Sequence, residues 1–280
     1  MKTLLFIIAV ATLTTSDSQA IITVTTQGVT ENFGTFPDVS NWSTAPSSLV
    51  AVYGATGDSG SDRAMAYNIE ADIDAAVNTL SASQINSSLG TTSQAINNLS
   101  TNQTALWNDG SNSTLGAGGF LQTRPTSTRM TVFMASLQNG SGSLANGLDL
   151  GFVMTVRGAV NPGPPNPNEQ VFGWRVLYSL SGTPNSWLPV DDLNGLGSIG
   201  ANESGTRSAT LDFTAAGGWA PDAPLWIMWA DENASNGTGD NGLLLDGIEF
   251  TALPAPVPEP SSTLLLAASI GVLSFRRRRS

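Results

Sequence analysis

Asp231, Glu232, Asn233, Asp240 and Asp246 gather oxygen-bearing side chains into one short stretch late in the sequence. Carboxylates, amide carbonyls and backbone carbonyls are the ligands of hard cations. Asp231, Asn233, Asp240 and Asp246 therefore make a candidate calcium set, flanking the turn sequence ASNGTG at 234–239. Their spacing matches neither an EF-hand nor a repeat-type calcium loop. The competing reading is a solvated hairpin whose Asp and Asn side chains satisfy turn backbone.

Carboxylate pairs offer a second chemistry. Asp191-Asp192 and Asp72 with Asp74 are such pairs. A glycosidase needs two carboxylates roughly 5–10 Å apart across a cleft. In a chain this acidic, neighbouring pairs also arise by chance, so no catalytic residue is assigned. The seven tryptophans are a third resource, as sugar-stacking platforms or as core. Trp226 and Trp229 lie three apart in a strand-like run and so face opposite sides, which puts at least one in the core. Trp187 and Trp219, in loop-like settings, are the candidates for exposed stacking. Asn-x-Ser/Thr sites occur at Asn41, Asn98, Asn102, Asn139, Asn202 and Asn236. Gly116-Ala117-Gly118-Gly119 lacks the strand and helix context of a phosphate loop.

Other chemistry is excluded by what is missing. The chain has no cysteine and no histidine. Disulfides, thiolate nucleophiles, Ser-His triads and His-ligated zinc are therefore ruled out. Between residues 21 and 257 there are six arginines against twenty acids, a net of −14, and no lysine. That removes Schiff-base and P-loop lysine chemistry. A body this acidic repels nucleic acid and anionic lipid, so no nucleic-acid partner is expected.

The elements that must position these residues read as strands. Short β-type runs alternate with turn clusters, the pattern of an all-β sandwich or barrel. Strands are expected at 21–25, 49–53, 129–135, 148–157, 170–180, 208–213, 224–230 and 243–250. The run PLWIMWA at 224–230 is the candidate for the central buried strand. In QVFGWRVLYSL at 170–180, Phe172, Trp174, Val176 and Tyr178 share one face, with Val171, Arg175 and Leu177 on the other. Asn139-Gly140 is a strong turn signal. Ile69, Ile73, Val77 and Leu80 recur at helical spacing and predict one helix near 70–82. The polar tract from Gln94 to Leu106 reads as a long surface loop.

Four stretches resemble a group of bacterial secreted β-sandwich domains. They are Gly119 to Ser127 (GFLQTRPTS), Arg175 to Gly182 (RVLYSLSG), Leu225 to Asn233 (LWIMWADEN) and Asp240 to Ile248 (DNGLLLDGI). The resemblance covers roughly residues 105–251. It implies a mainly β fold, a single jelly-roll-like β-sandwich, and no particular activity.

The two ends of the sequence carry addresses. Met1-Lys2, the apolar run Leu4 to Leu13 and Ser18-Gln19-Ala20 form the three regions of a secretory signal at 1–20, cleaved after Ala20. Export machinery of the Sec type is its expected partner. A Pro-rich linker at 254–260 leaves the body at 21–253. Then comes an uncharged apolar run at 261–275 and the basic end 276–280. Fifteen helical residues span about 22 Å against about 30 Å of hydrocarbon, short for a permanent anchor. Arg276, Arg277, Arg278 and Arg279 form a cytoplasmic stop by the positive-inside rule.

Val257, Pro258, Glu259 and Pro260, followed by the apolar run and the arginines, resemble the PEP-CTERM sorting signal of Gram-negative bacteria. That resemblance implies recognition by an exosortase, a membrane-embedded cysteine protease-transpeptidase, with processing near Pro-Glu-Pro. The expected protein is exported and held briefly in the inner membrane. It then passes to the cell surface or extracellular matrix, in a structural or adhesive role within the exopolysaccharide layer. A carbohydrate-binding module, with polysaccharide as partner, is the alternative reading. A carboxylate-pair glycosidase is the third.

Overall fold

The structure, a computed structural model, describes residues 21–46, 69–93, 104–111, 118–125, 130–157, 173–200, 202–232 and 242–256. The described strands before the helix are β1 (Ile22–Val24), β2 (Val29–Glu31) and β3 (Trp42–Thr44). After α1 (Ile69–Val77) come β4 (Gly90–Thr92), β5 (Leu106–Asn108), β6 (Phe120–Thr123), β7 (Met130–Asn139) and β8 (Ala145–Arg157). The rest are β9 (Trp174–Ser179), β10 (Leu188–Pro189), β11 (Ser204–Asp212), β12 (Pro224–Glu232) and β13 (Gly242–Pro254).

They form two sheets. The first runs β1-β7-β12-β9-β10, with β3 also on β7. The second runs β11-β8-β13-β6-β5-β4, with β2 also on β13. From β6 onward the chain passes back and forth between them. The inner orders, β7-β12-β9-β10 and β6-β13-β8-β11, are those of a jelly roll. The expected mainly β sandwich is therefore what the chain builds, and β12 is central in its sheet as its apolar run predicts.

Side-chain alternation sorts each strand between two environments. On β12, Leu225, Ile227 and Trp229 enter the core between the sheets, while Met228 and Ala230 face outward. On β7, Phe133, Ala135 and Leu137 point in, and Met130, Val132 and Met134 point out. The outward set is not left in water. Ile73 and Val77 of α1, then Leu80, Ala82 and Ile85, roof that face of the first sheet together with Trp187. Its strands are thus apolar on both faces, which is why they read as continuous hydrophobic runs.

The inter-sheet core is aromatic. Phe133 and Trp229 sit opposite each other on neighbouring strands and stack at 5.1 Å, with planes 1° apart. Trp42 lies 5.7 Å from Trp229, and Phe152 of the second sheet meets Trp229 edge-on at 6.1 Å. Such pairs add about 0.5–1.5 kcal/mol each beyond their buried area. Trp174 Nε1 donates to Thr123 Oγ1 at 2.9 Å and so ties β9 to β6 across the sandwich. Among the described residues the indole N–H groups of Trp42 and Trp229 have no hydrogen-bond partner, a cost the aromatic packing must exceed.

The Asn139-Gly140 turn links β7 to β8 as expected. Asn139 is fully buried. Its Nδ2 donates to the carbonyls of Ser143 (2.9 Å) and Trp219 (2.7 Å). Its Oδ1 accepts from the N–H (3.0 Å) and Oγ (2.6 Å) of Ser141. One amide thus fastens the hairpin to the loop before β12.

Two expectations change. The helix stops at Val77, short of the predicted 82, and Ala82–Gln84 form a separate 3-10 turn. Leu80 still reaches the same apolar layer. The C-terminal end of the predicted surface loop is built in, since Leu106 opens β5, which pairs in parallel with β4, and Ala105 and Leu106 are buried, while 94–103 lie outside the described residues. The strand expected at 49–53 lies outside the described residues, as do the leader at 1–20 and the apolar run at 261–275. Among the described residues no helix is long and apolar enough to cross a membrane.

Candidate functional site: a polar groove on the second sheet

The outer face of the second sheet has no described helix over it. Along β8 the alternation sends Leu148, Leu150, Phe152 and Met154 into the core, leaving Asp149, Gly151, Val153 and Thr155 on the outer face. β11 lies antiparallel beside it, pairing Thr210 with Asp149 and Ser208 with Gly151. Thr210 Oγ1 donates to Asp149 Oδ1 at 2.5 Å.

The third wall depends on a β-bulge. Before it, Leu243 and Leu245 of β13 point into the core and Asp246 pairs with Val153 on the outer face. Gly247 and Ile248 then stand where β8 has one residue, and pairing resumes at Glu249 with Gly151. Gly247 has φ +54°, a backbone that favours glycine. The extra residue inverts the parity of the strand. Ile248, Phe250 and Ala252 become the core residues. Glu249 and Thr251 are thereby re-aimed outward, next to Gly151 and Asp149.

The result is an open groove of about 450 Å³, lined chiefly by Asp149, Gly151, Ser208, Thr210, Glu249 and Thr251. Gly151 forms its floor. A Cβ added there would meet only Arg207 O and Ser208 Cβ, both at 3.9 Å. The lining offers hydroxyl donors and carboxylate acceptors, with no cationic or aromatic side chain among the described residues. Sequence reading did not assemble this set. The signal was present as a glycine inside each of two strands, and as the break of alternation in LLLDGIEF.

The residues singled out from sequence lie elsewhere or apart. Asp231 is buried in β12 of the first sheet, paired with Thr131 and Trp174. Asp246 is exposed on β13 of the second sheet, where partial burial of its carboxyl raises its pKa against a lowering hydrogen bond from Gly247 N–H. Asn233 and Asp240 lie outside the described residues. Among the described residues no three acidic side chains group as a metal site. Glu31, at the edge where β2 joins β13, is also raised by burial.

One member of each predicted carboxylate pair is drawn to an arginine. Arg175 is 3% exposed on the roofed face of the first sheet. Its Nε and Nη2 donate to the two oxygens of Asp74 at 2.8 and 2.7 Å. Its Nη1 donates to Asp191 at 3.2 Å. Asp74 and Asp191 thus come together as counter-ions of a buried cation, anchoring α1 and the 190–194 loop to β9.

The expectation of exposed stacking at Trp187 and Trp219 is corrected. Both are buried, at 2% and 1% exposure. Trp187 Nε1 donates to Leu80 O and Trp219 Nε1 to Ala223 O, each at 2.8 Å. Each loop folds back so that its indole fills a core and its N–H finds a carbonyl. Trp229 is core and Trp226 is on the opposite face, as their spacing requires. Trp107 is half-buried, with its ring edge-on to the exposed Phe36 at 5.6 Å. Of the Asn-x-Ser/Thr sites, Asn139 has both amide hydrogens committed, whereas Asn202 is exposed on a turn at φ +60°.

No curated protein matches the chain. Among solved structures, the xylan-binding module CBM15 aligns at 11% identity and TM-score 0.31, over 49% of this chain and 84% of that one. The module TmCBM61, solved with β-1,4-galactotriose, aligns at 12% and 0.29, over 53% and 81%. The enzymatically active domain of bacteriophage CBA120 tailspike protein 4 aligns at 8% and 0.31 over 55% of this chain. The alignment spans only 18% of the tailspike chain. One family model matches, the PEP-CTERM protein-sorting motif, at residues 256–279. β13 ends at Pro254 and Ala255 N–H still donates to Leu144 O at 2.8 Å. Directly after the last strand of its β-sandwich, then, this chain carries a PEP-CTERM protein-sorting motif.

Proposed function

We propose that the protein is exported, sorted through its C-terminal motif, and retained at the cell surface or in the extracellular matrix in a structural or adhesive role. The observation that carries this reading is the match at residues 256–279. In this reading the leader at 1–20 engages Sec-type export and is cut after Ala20. The span 261–275 and Arg276 to Arg279 hold the chain in the inner membrane. An exosortase then cuts near Val257-Pro258-Glu259-Pro260.

Only Ala255 separates β13 from the motif, and β13 is flanked by β8 and β6. Whatever the tail is joined to is then joined to a central strand of the core. No catalytic role is proposed. Asp74 and Asp191 serve Arg175, which removes them as an acid-base pair.

Intact-mass analysis of the full chain, recovered from the membrane, matrix and medium of its host, tests the reading. A mature species in the matrix fraction ending near Pro258 is the expected result. A chain that retains Arg276 to Arg279 in every fraction overturns the processing step. A mature chain found wholly free in the medium overturns the adhesive role.

The groove over Gly151 favours the alternative that adhesion works through polysaccharide binding. Its lining is polar, open and uncommitted on the Glu249 side, where that carboxylate has no hydrogen-bond or ion-pair partner among the described residues.

A further inference from the structure

We propose that the groove over Gly151 binds an uncharged glycan chain, laid across β11, β8 and β13 and read by hydrogen bonds rather than by ring stacking. The inference rests on the surface-and-matrix reading above and names the ligand class of the groove.

Three features carry it. The first is the lining. Ser208, Thr210 and Thr251 present hydroxyls, and Asp149 and Glu249 present carboxylates. Hydroxyls donate and accept, and carboxylates accept from sugar O–H groups in charge-assisted bonds. With no ring in the lining among the described residues, hydrogen bonding is what this surface offers a sugar.

The second is charge. Two carboxylates with no cationic side chain beside them among the described residues repel uronate or sulfate groups, and the net −14 between residues 21 and 257 adds to that repulsion. Anionic glycans are therefore excluded. A cation alone does not explain the groove, since no three acidic side chains group there among the described residues.

The third is construction. Glu249 and Thr251 reach the outer face because the Gly247 bulge inverts the parity of β13. Gly151 leaves a floor where any other residue would put a side chain into the groove. The site is thus made by one inserted residue and one missing side chain.

Gly151→Leu gives a test that separates folding from binding. A Cβ at 151 meets nothing closer than 3.9 Å, and the side chain projects into the groove. A strand residue should replace glycine there without loss of stability. The probes are gels containing xylan, dextran or a mixed-linkage β-glucan as neutral chains, and alginate as the anionic one. The full chain and its variants are run through each by affinity electrophoresis.

Retardation by at least one neutral glycan and none by alginate is expected. In G151L, retention should fall about tenfold or more, with an unchanged circular dichroism melt. The double variant Ser208→Ala with Thr251→Ala, which adds no bulk, should show a similar loss. Retardation by alginate, or neutral-glycan binding that survives both variants, overturns the assignment. If no neutral glycan retards the wild type while the mature chain still partitions into the matrix, the groove assignment falls and the adhesive reading stands.

Discussion

Replacing Asn139 by Asp changes one atom, and the structure sets a sizeable cost for it. The Nδ2 group of Asn139 is fully buried and donates to Ser143 O and Trp219 O. An aspartate there removes both donors and aims a carboxylate oxygen at two carbonyls. Neither carbonyl is orphaned, because Ala145 N–H also donates to Trp219 O at 3.0 Å and Ser143 is exposed to solvent. The lost bonds therefore cost about 2 kcal/mol together, near the lower end of the usual range for buried groups. Burial next to two carbonyls pushes the new carboxyl above the ~3.9 of free Asp, against the lowering pull of the two Ser141 hydrogen bonds. Each unit adds about 1.4 kcal/mol at neutral pH, so one unit brings the total to about 3–4 kcal/mol.

The sign with pH follows from linkage. A carboxyl whose folded pKa is raised incurs no charge penalty below its unfolded value. The penalty grows as pH rises from there and levels off above the folded value. Asn139→Asp should thus melt about 10 °C below wild type at pH 7, with a smaller gap at pH 4. Asn139→Ala, which loses the bonds without adding charge, should show the same gap to wild type at both. Thermal melts followed by circular dichroism read both differences. An Asn139→Asp variant that melts within about 2 °C of wild type at pH 7 refutes the account of the hairpin. A gap equal at both pH values refutes the charge part.

Two further predictions concern the other charged sites. Asp74→Ala removes the bidentate partner of the buried Arg175, whose bond to Asp191 is longer and solvent-facing. It should cost about 2–4 kcal/mol in urea denaturation, and Arg175→Met should cost less than Asp74→Ala. The opposite order would mean that the ion pair itself, and not the stranded charge, governs stability. Asp246→Asn removes a carboxyl that burial raises, and keeps an acceptor for Gly247 N–H. The raised carboxyl stabilises below its unfolded value and loses that contribution as pH rises through its folded value. The variant should gain at pH 7 and not at pH 3. Solvent at this exposed side chain limits the gain to about 0.5 kcal/mol, and a lower urea midpoint at pH 7 would contradict the sign.

The strands of the first sheet were legible because burial on both faces leaves long apolar runs. PLWIMWA announced its central place, and WRVLYS announced its two faces. The C-terminal motif was legible because it is read as linear sequence, through Pro258-Glu259-Pro260, an apolar run and arginines in order. Trp187 and Trp219 were misplaced because a loop setting says nothing about where the loop folds. Trp187 is anchored by Leu80 O, 107 residues away in sequence, and Trp219 by Ala223 O at the far end of its own loop. The groove was illegible for a related reason. Asp149, Ser208 and Glu249 are up to a hundred residues apart and meet only through strand register.

What the sequence by itself determined is therefore the class of fold, the chemistry excluded by the missing His, Cys and Lys, and the sorting address. Each depends on composition or on local order along the chain. What only the tertiary structure decided is which acids meet and which face water. Asp74 and Asp191 converge on Arg175, although they are 117 residues apart in sequence. Glu249 and Thr251 reach the groove because one extra residue in β13 shifts alternation by one step, and a period of two turns that step into a change of face.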